Sequence, residues 1–136
     1  MTNKIKILIA GMAGVLLTGS IMTSCYYDNA EELYGSVAPC DTSTVTFAGS
    51  IQPILEAECL TCHSATNADG LGGGNNLEGF DNVINFVTVG DPANSSLYNS
   101  VAWLAGASFM PKSGQQLSDC DIAKIRIWIT SGAANN

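Results

Sequence analysis

The sequence predicts an all-α fold of three to five short helices joined by long loops. Three observations carry that expectation. Apolar residues recur at three- and four-residue spacing in several separate segments, strict alternation is confined to Thr44 through Phe47, and breakers rich in Gly and Asn divide the periodic runs. At 136 residues the chain has material for one domain and not two.

The first element is an export signal. After MTNKIK come 21 uncharged residues, Ile7 to Tyr27, apolar at first and then small and polar, in the order of a secretory signal. A retained membrane helix is the alternative, weakened by the run Thr18, Gly19, Ser20. MTSC at 22–25 resembles the lipobox of bacterial lipoproteins, although Met22 stands where Leu is usual; an ordinary signal followed by a free thiol is the other reading. The expected division is a lipoprotein-type signal over 1–24, an acylated Cys25 with an acidic tether over 25–43, and a folded domain over 44–136. Acyl chains on Cys25 would hold the domain on a lipid membrane, on the periplasmic side of a bacterium. Past Lys6, twelve acidic residues face three basic ones. Such a surface repels nucleic acid and favours a partner with a basic docking face.

Thr46 to Cys62 predicts a helix, with Ile51, Leu55 and Cys59 at i, i+4 and i+8, Ile54 beside them, Ser50 as N-cap and Pro53 early. Residues 70–79, GLGGGNNLEG, hold five glycines in ten and predict a loop; no GK[ST] follows, so a phosphate cradle is excluded. Phe80 to Val87 carries apolar residues on one helical face, and GDPANSSLYNSVAWL predicts a turn followed by a helix. The last helix is the clearest. Ser118 and Asp121 form a capping box, Ile122, Ile125 and Ile129 form a stripe with Ala123 and Trp128 beside it, and Gly132 ends it.

The chemistry concentrates in CLTCH, residues 59–63, where the chain's single histidine follows two cysteines spaced i, i+3. In an exported protein this spacing predicts covalent haem: Cys59 and Cys62 lie about one helical turn apart, within reach of two vinyl groups of one macrocycle, and His63 becomes the proximal iron ligand. Three rivals stand beside it. Zinc lacks a second ligand pair, a thioredoxin-like thiol pair should open a helix and not close one, and a Cys59–Cys62 disulfide leaves His63 without a role. For the sixth position Met110 is the one methionine beyond residue 22, set in SFMPKSG with Pro111 stiffening the loop. A core-filling methionine is the ordinary fate of such a residue, and Lys112 or an open position are the other candidates. His/Met ligation raises the reduction potential and fills the iron, which points to electron transfer. A haem peroxidase or gas sensor with an open or labile sixth position is the alternative, and a haem subunit fixed in a larger complex a third.

The run from CLTCH through GDPANSSLYNSV to MPKSGQQLSDCDIAKIRIWITSGA resembles the single-haem cytochrome c domains of bacterial lipoproteins, over about residues 44–134. The resemblance implies a cytochrome c-like fold around one covalently attached haem, Met110 in the place of the distal ligand, and a carrier role serving a redox protein or membrane respiratory complex. Trp103 and Trp128 are expected either to pack or to meet the haem, with an N–H to a propionate. Lys112 and Arg126 are candidate propionate partners or plain surface cations. Cys40 and Cys120 are left over, and in an exported protein they are expected to pair, with two buried free thiols as the other reading.

Overall fold

The computed structural model describes residues 39–136. The expected signal, Cys25 and most of the tether lie outside the described residues. The described chain is all-α, with five α-helices and no strand.

A turn of π-helix, Phe47–Ile51, leads into α1, Gln52–Glu58. A single turn, α2, follows as Leu60–His63, and α3 is Phe80–Val83 with a 3-10 extension Ile84–Phe86. A 3-10 turn Pro92–Asn94 precedes α4, Ser96–Val101, and α5 runs Asp119–Thr130. The expected helix over 46–62 is thus three pieces, and its cap is not Ser50. Helical turns begin earlier, because the Thr46 hydroxyl accepts the Gly49 N–H at 3.0 Å. Gly49 permits that approach, since a Cβ there would stand 2.8 Å from Thr46 Oγ1. Two further N–H groups of this first turn, on Phe47 and Ala48, are taken by Oδ1 and O of Asn136, both at 2.9 Å. The start of the helix therefore closes on the last residues of the sequence, a pairing of groups otherwise orphaned at a helix N-terminus.

α5 forms where its pattern predicts. The Ser118 hydroxyl accepts the Asp121 N–H at 3.1 Å, two acids occupy the first turn, and Gly132 ends the helix at a φ of +106°, a left-handed conformation suited to glycine. Its inner face buries Ile125, Trp128 and Ile129 against the π-turn and α4, with Ile122 partly covered. Phe47 meets Phe80 edge-on at 5.2 Å and Trp128 at 5.6 Å, so three aromatic rings close one end of the core. Each fully buried aliphatic side chain here contributes about 1.5–3 kcal/mol. Cys40 and Cys120 are joined by a disulfide that ties the start of the domain to the first turn of α5. Between α3 and α4, the wholly buried Ser95 hydroxyl accepts the Thr88 N–H at 2.8 Å and lies 2.8 Å from the Asp91 carbonyl, which accepts from it. This fixes the turn that delivers α4. Among the described residues no helix is long and apolar enough to cross a membrane.

Candidate functional site

Cys59 ends α1, and the next turn of chain swings Cys62 and His63 onto the same side. The Cys59 carbonyl accepts both the Cys62 N–H at 3.1 Å and the His63 N–H at 2.9 Å, which makes CLTCH one closed turn at the end of a helix. Both thiols and the imidazole line a cavity of about 500 Å³. That size lies within the range of cofactor and small-molecule sites. Its walls are mainly apolar: Leu71 and Leu77 from the loop after α2, Phe86 from the end of the α3 segment, Leu97 and Val101 from α4, and Leu117 before α5. Met110 and Pro111 line the same space, so the loop between α4 and α5 reaches the cavity that holds His63.

The glycine-rich loop grips the histidine. Nδ1 of His63 is 2.8 Å from the Asn75 carbonyl, and because a carbonyl can only accept, Nδ1 carries the proton and Nε2 keeps its lone pair. The His63 carbonyl accepts the Leu77 N–H at 2.8 Å. Around this pair the loop is self-supporting: Gly74 N–H donates to Ala68 O at 2.9 Å, Asn75 Nδ2 to Gly72 O at 3.1 Å, and Asn67 Nδ2 back to Thr61 O at 2.9 Å. The Glu78 carboxylate accepts the Ala65 N–H at 2.8 Å and closes the loop at its base. Gly72 packs where no side chain fits. A Cβ there would stand 2.7 Å from the Cys62 carbonyl oxygen and 2.9 Å from His63 Nδ1.

Cys59 and Cys62 are free thiols, not a disulfide. Burial pushes the Cys59 thiol up to about 11, with the Glu58 carboxylate adding to it, which is the reverse of the activated thiolate that a dithiol redox pair needs. Among the described residues no three His, Cys, Asp or Glu side chains gather to hold a metal ion, so zinc lacks a ligand set there. Glu58, Cys59, Cys62, His63, Met110 and Lys112 are the lining residues that carry a thiol, thioether, imidazole, carboxylate or amine.

Of the other expected pocket residues, Pro111 and Lys112 line the cavity and Trp103, Arg126 and Trp128 do not. Trp128 is a core residue, 2% exposed, whose indole N–H donates to the Ala134 carbonyl at 2.9 Å. Trp103 also lies outside the cavity wall and donates its N–H to the Met110 carbonyl at 2.7 Å. Packing, one of the two expectations for these rings, describes Trp128, and in both cases the indole N–H is taken by a main-chain oxygen. Arg126 is exposed on α5, away from the cavity; Lys112 lines it, with Nζ donating to Ser108 Oγ at 3.0 Å. Sequence reasoning missed the Asn75 carbonyl and the Gly72 contact. The glycine-rich run 70–79, separated from CLTCH by six residues, was the signal for a close approach.

No family model matches the chain, and no solved structure matches it. Among curated proteins, hydrazine synthase subunit alpha of Kuenenia stuttgartiensis is 41% identical over 58 residues, a stretch that covers 43% of this chain and 6% of the relative. The chain therefore spans a small fraction of that relative's length.

Proposed function

We propose that this protein is a single-haem cytochrome c that carries electrons on the periplasmic side of a bacterial membrane, anchored through an acylated Cys25. The observation that carries the reading is the His63 ring, held at Nδ1 by the Asn75 carbonyl and left with a free Nε2, in an apolar cavity it shares with both thiols and Met110. That donor set suits haem c: metal-binding histidines characteristically donate their other N–H to a carbonyl or carboxylate, which fixes the tautomer. Cys59 and Cys62 would hold the haem through thioether bonds to its vinyl groups, and His63 and Met110 would ligate its iron.

When bound, the iron supplies a one-electron couple. The chain's residues tune and shield it. As a ligand, the neutral thioether of Met110 would favour the reduced state relative to a second imidazole and would deny dioxygen or peroxide a place to bind. Leu77, Phe86, Leu97, Val101 and Leu117 keep water from the site and lower its dielectric. The acidic surface suits a redox protein or membrane respiratory complex with a basic docking face. The local likeness to hydrazine synthase subunit alpha covers too little of that protein to bring its activity here.

Optical spectra of the purified protein in both redox states, beside Met110→Ala, test the reading. A c-type spectrum with a thioether-to-ferric charge-transfer band that the substitution abolishes is the expected result. Rapid stoichiometric carbon monoxide binding by the unaltered ferrous protein would move the assignment to a haem peroxidase or gas sensor, and a colourless protein from a haem-maturing host would overturn it.

A further inference from the structure

We propose that Trp103 is a positioning residue that clasps the Met110 loop and so sets how firmly the thioether is held at the cavity; the proposal rests on the haem reading above. Met110 is fixed by its backbone at both ends. Its N–H donates to the Ser100 carbonyl at 3.1 Å, in the last turn of α4, and its carbonyl accepts the indole N–H of Trp103 at 2.7 Å. The residue that delivers this sulfur is thereby tied to α4 twice, once through the helix and once through the residue just past its end.

The backbone of Trp103 is the second observation. α4 closes at Ala102, whose N–H returns to the Tyr98 carbonyl at 2.9 Å, and the chain then turns at Trp103 with φ at +54° while Leu104 N–H donates to the Asn99 carbonyl at 3.0 Å. A left-handed residue just past a helix is ordinarily glycine, and a bulky aromatic there is strained. Strain of this kind persists where the surrounding structure over-determines it, and it gathers at functional sites. What the ring does at this cost is visible. Its face stacks on Phe109 at 5.5 Å and 11°, and its edge reaches the Met110 carbonyl. Residues 103, 109 and 110 thus form one unit, in which a rigid indole bridges a sequence separation of seven.

Two substitutions separate positioning from packing. Trp103→Phe keeps a ring for Phe109 and removes the N–H; Trp103→Gly suits the left-handed backbone and removes both contacts. In each, cyanide binding to the ferric protein should speed up about tenfold, the factor that a hydrogen bond of ordinary net strength controls. The thioether-to-ferric band should weaken in each, while Trp103→Gly unfolds no earlier in urea than the unaltered protein. Unchanged cyanide rates and band in Trp103→Phe overturn the proposal, as does an earlier unfolding midpoint with wild-type ligand rates in Trp103→Gly. If Met110→Ala loses the band and Trp103→Phe does not weaken it, the clasp alone fails. A protein without the band, or a Met110→Ala variant that keeps it, overturns the clasp and the His/Met reading together.

Discussion

The His63 ring and the Asn75 carbonyl meet across 2.8 Å, and Gly72 lies against both the ring and the turn that carries it. The hydrogen bond and the missing side chain work together: one fixes the tautomer, the other lets the loop come close enough to do so. Gly72→Ala should therefore destabilise the fold by about 1–3 kcal/mol, the usual penalty of overpacking. On the proposed haem reading it should also broaden the optical and magnetic signatures of an iron ligated by His63. Urea unfolding together with electron paramagnetic resonance of the ferric protein measures both, and a variant with unchanged spectra would separate the loop from the orientation of the imidazole.

The Cys40–Cys120 bond closes a loop with a sequence separation of 80 residues. In the chain-entropy account, such a cross-link destabilises the unfolded chain by about 4.5 kcal/mol. A Cys40→Ser, Cys120→Ser double variant should lose stability of that order in urea and, on the proposed haem reading, keep its optical spectrum, because neither residue lines the cavity.

Ser95→Ala should be costly for so small a change. The hydroxyl is wholly buried, and its loss strands the Thr88 N–H and the Asp91 carbonyl together. A penalty of about 1–3 kcal/mol is expected. Since Ser95 is the residue from which α4 starts, faster amide exchange over Ser96–Val101 should accompany it.

Asp91 gives a pH dependence of known sign. Hydrogen bonds from the Asn94 side chain and backbone hold its carboxyl below the usual 3.8. A carboxylate lowered in the folded state stabilises the fold at pH values above its unfolded value, and that contribution fades as pH falls through the lower folded value. Acid unfolding followed by circular dichroism should show a shallow loss below about pH 4, which Asp91→Asn removes. Asp91 is only partly buried, so the effect should shrink further in high salt.

How legible each part was depends on whether side chains or backbone carry it. α5 could be read because its cap and its buried face are both side-chain patterns: Ser118 with Asp121, then Ile125, Trp128 and Ile129. The helical setting of CLTCH was legible for the same reason. The start of the first helix was not, since Ser50 and Thr46 are both acceptable caps and the choice fell to Gly49, which admits the Thr46 hydroxyl, and to Asn136, which arrives from the far end of the chain. The anchor of His63 could not be read at all: any residue can offer a carbonyl, so Asn75 leaves no mark on the sequence. Trp103 and Trp128 show the opposite limit. Their type announced a hydrogen bond, yet the acceptors, Met110 O and Ala134 O, are main-chain atoms that only the fold brings near.

The sulfur bridge at residue 40 also decides where mechanical load enters the domain. Tension arriving along the chain ahead of Cys40 passes through the Cys40–Cys120 bond to the first turn of α5 and from there into Ile125, Trp128 and Ile129. A pull that reaches Cys40 is therefore shared between the backbone leading to the π-turn and the helix that buries these three side chains.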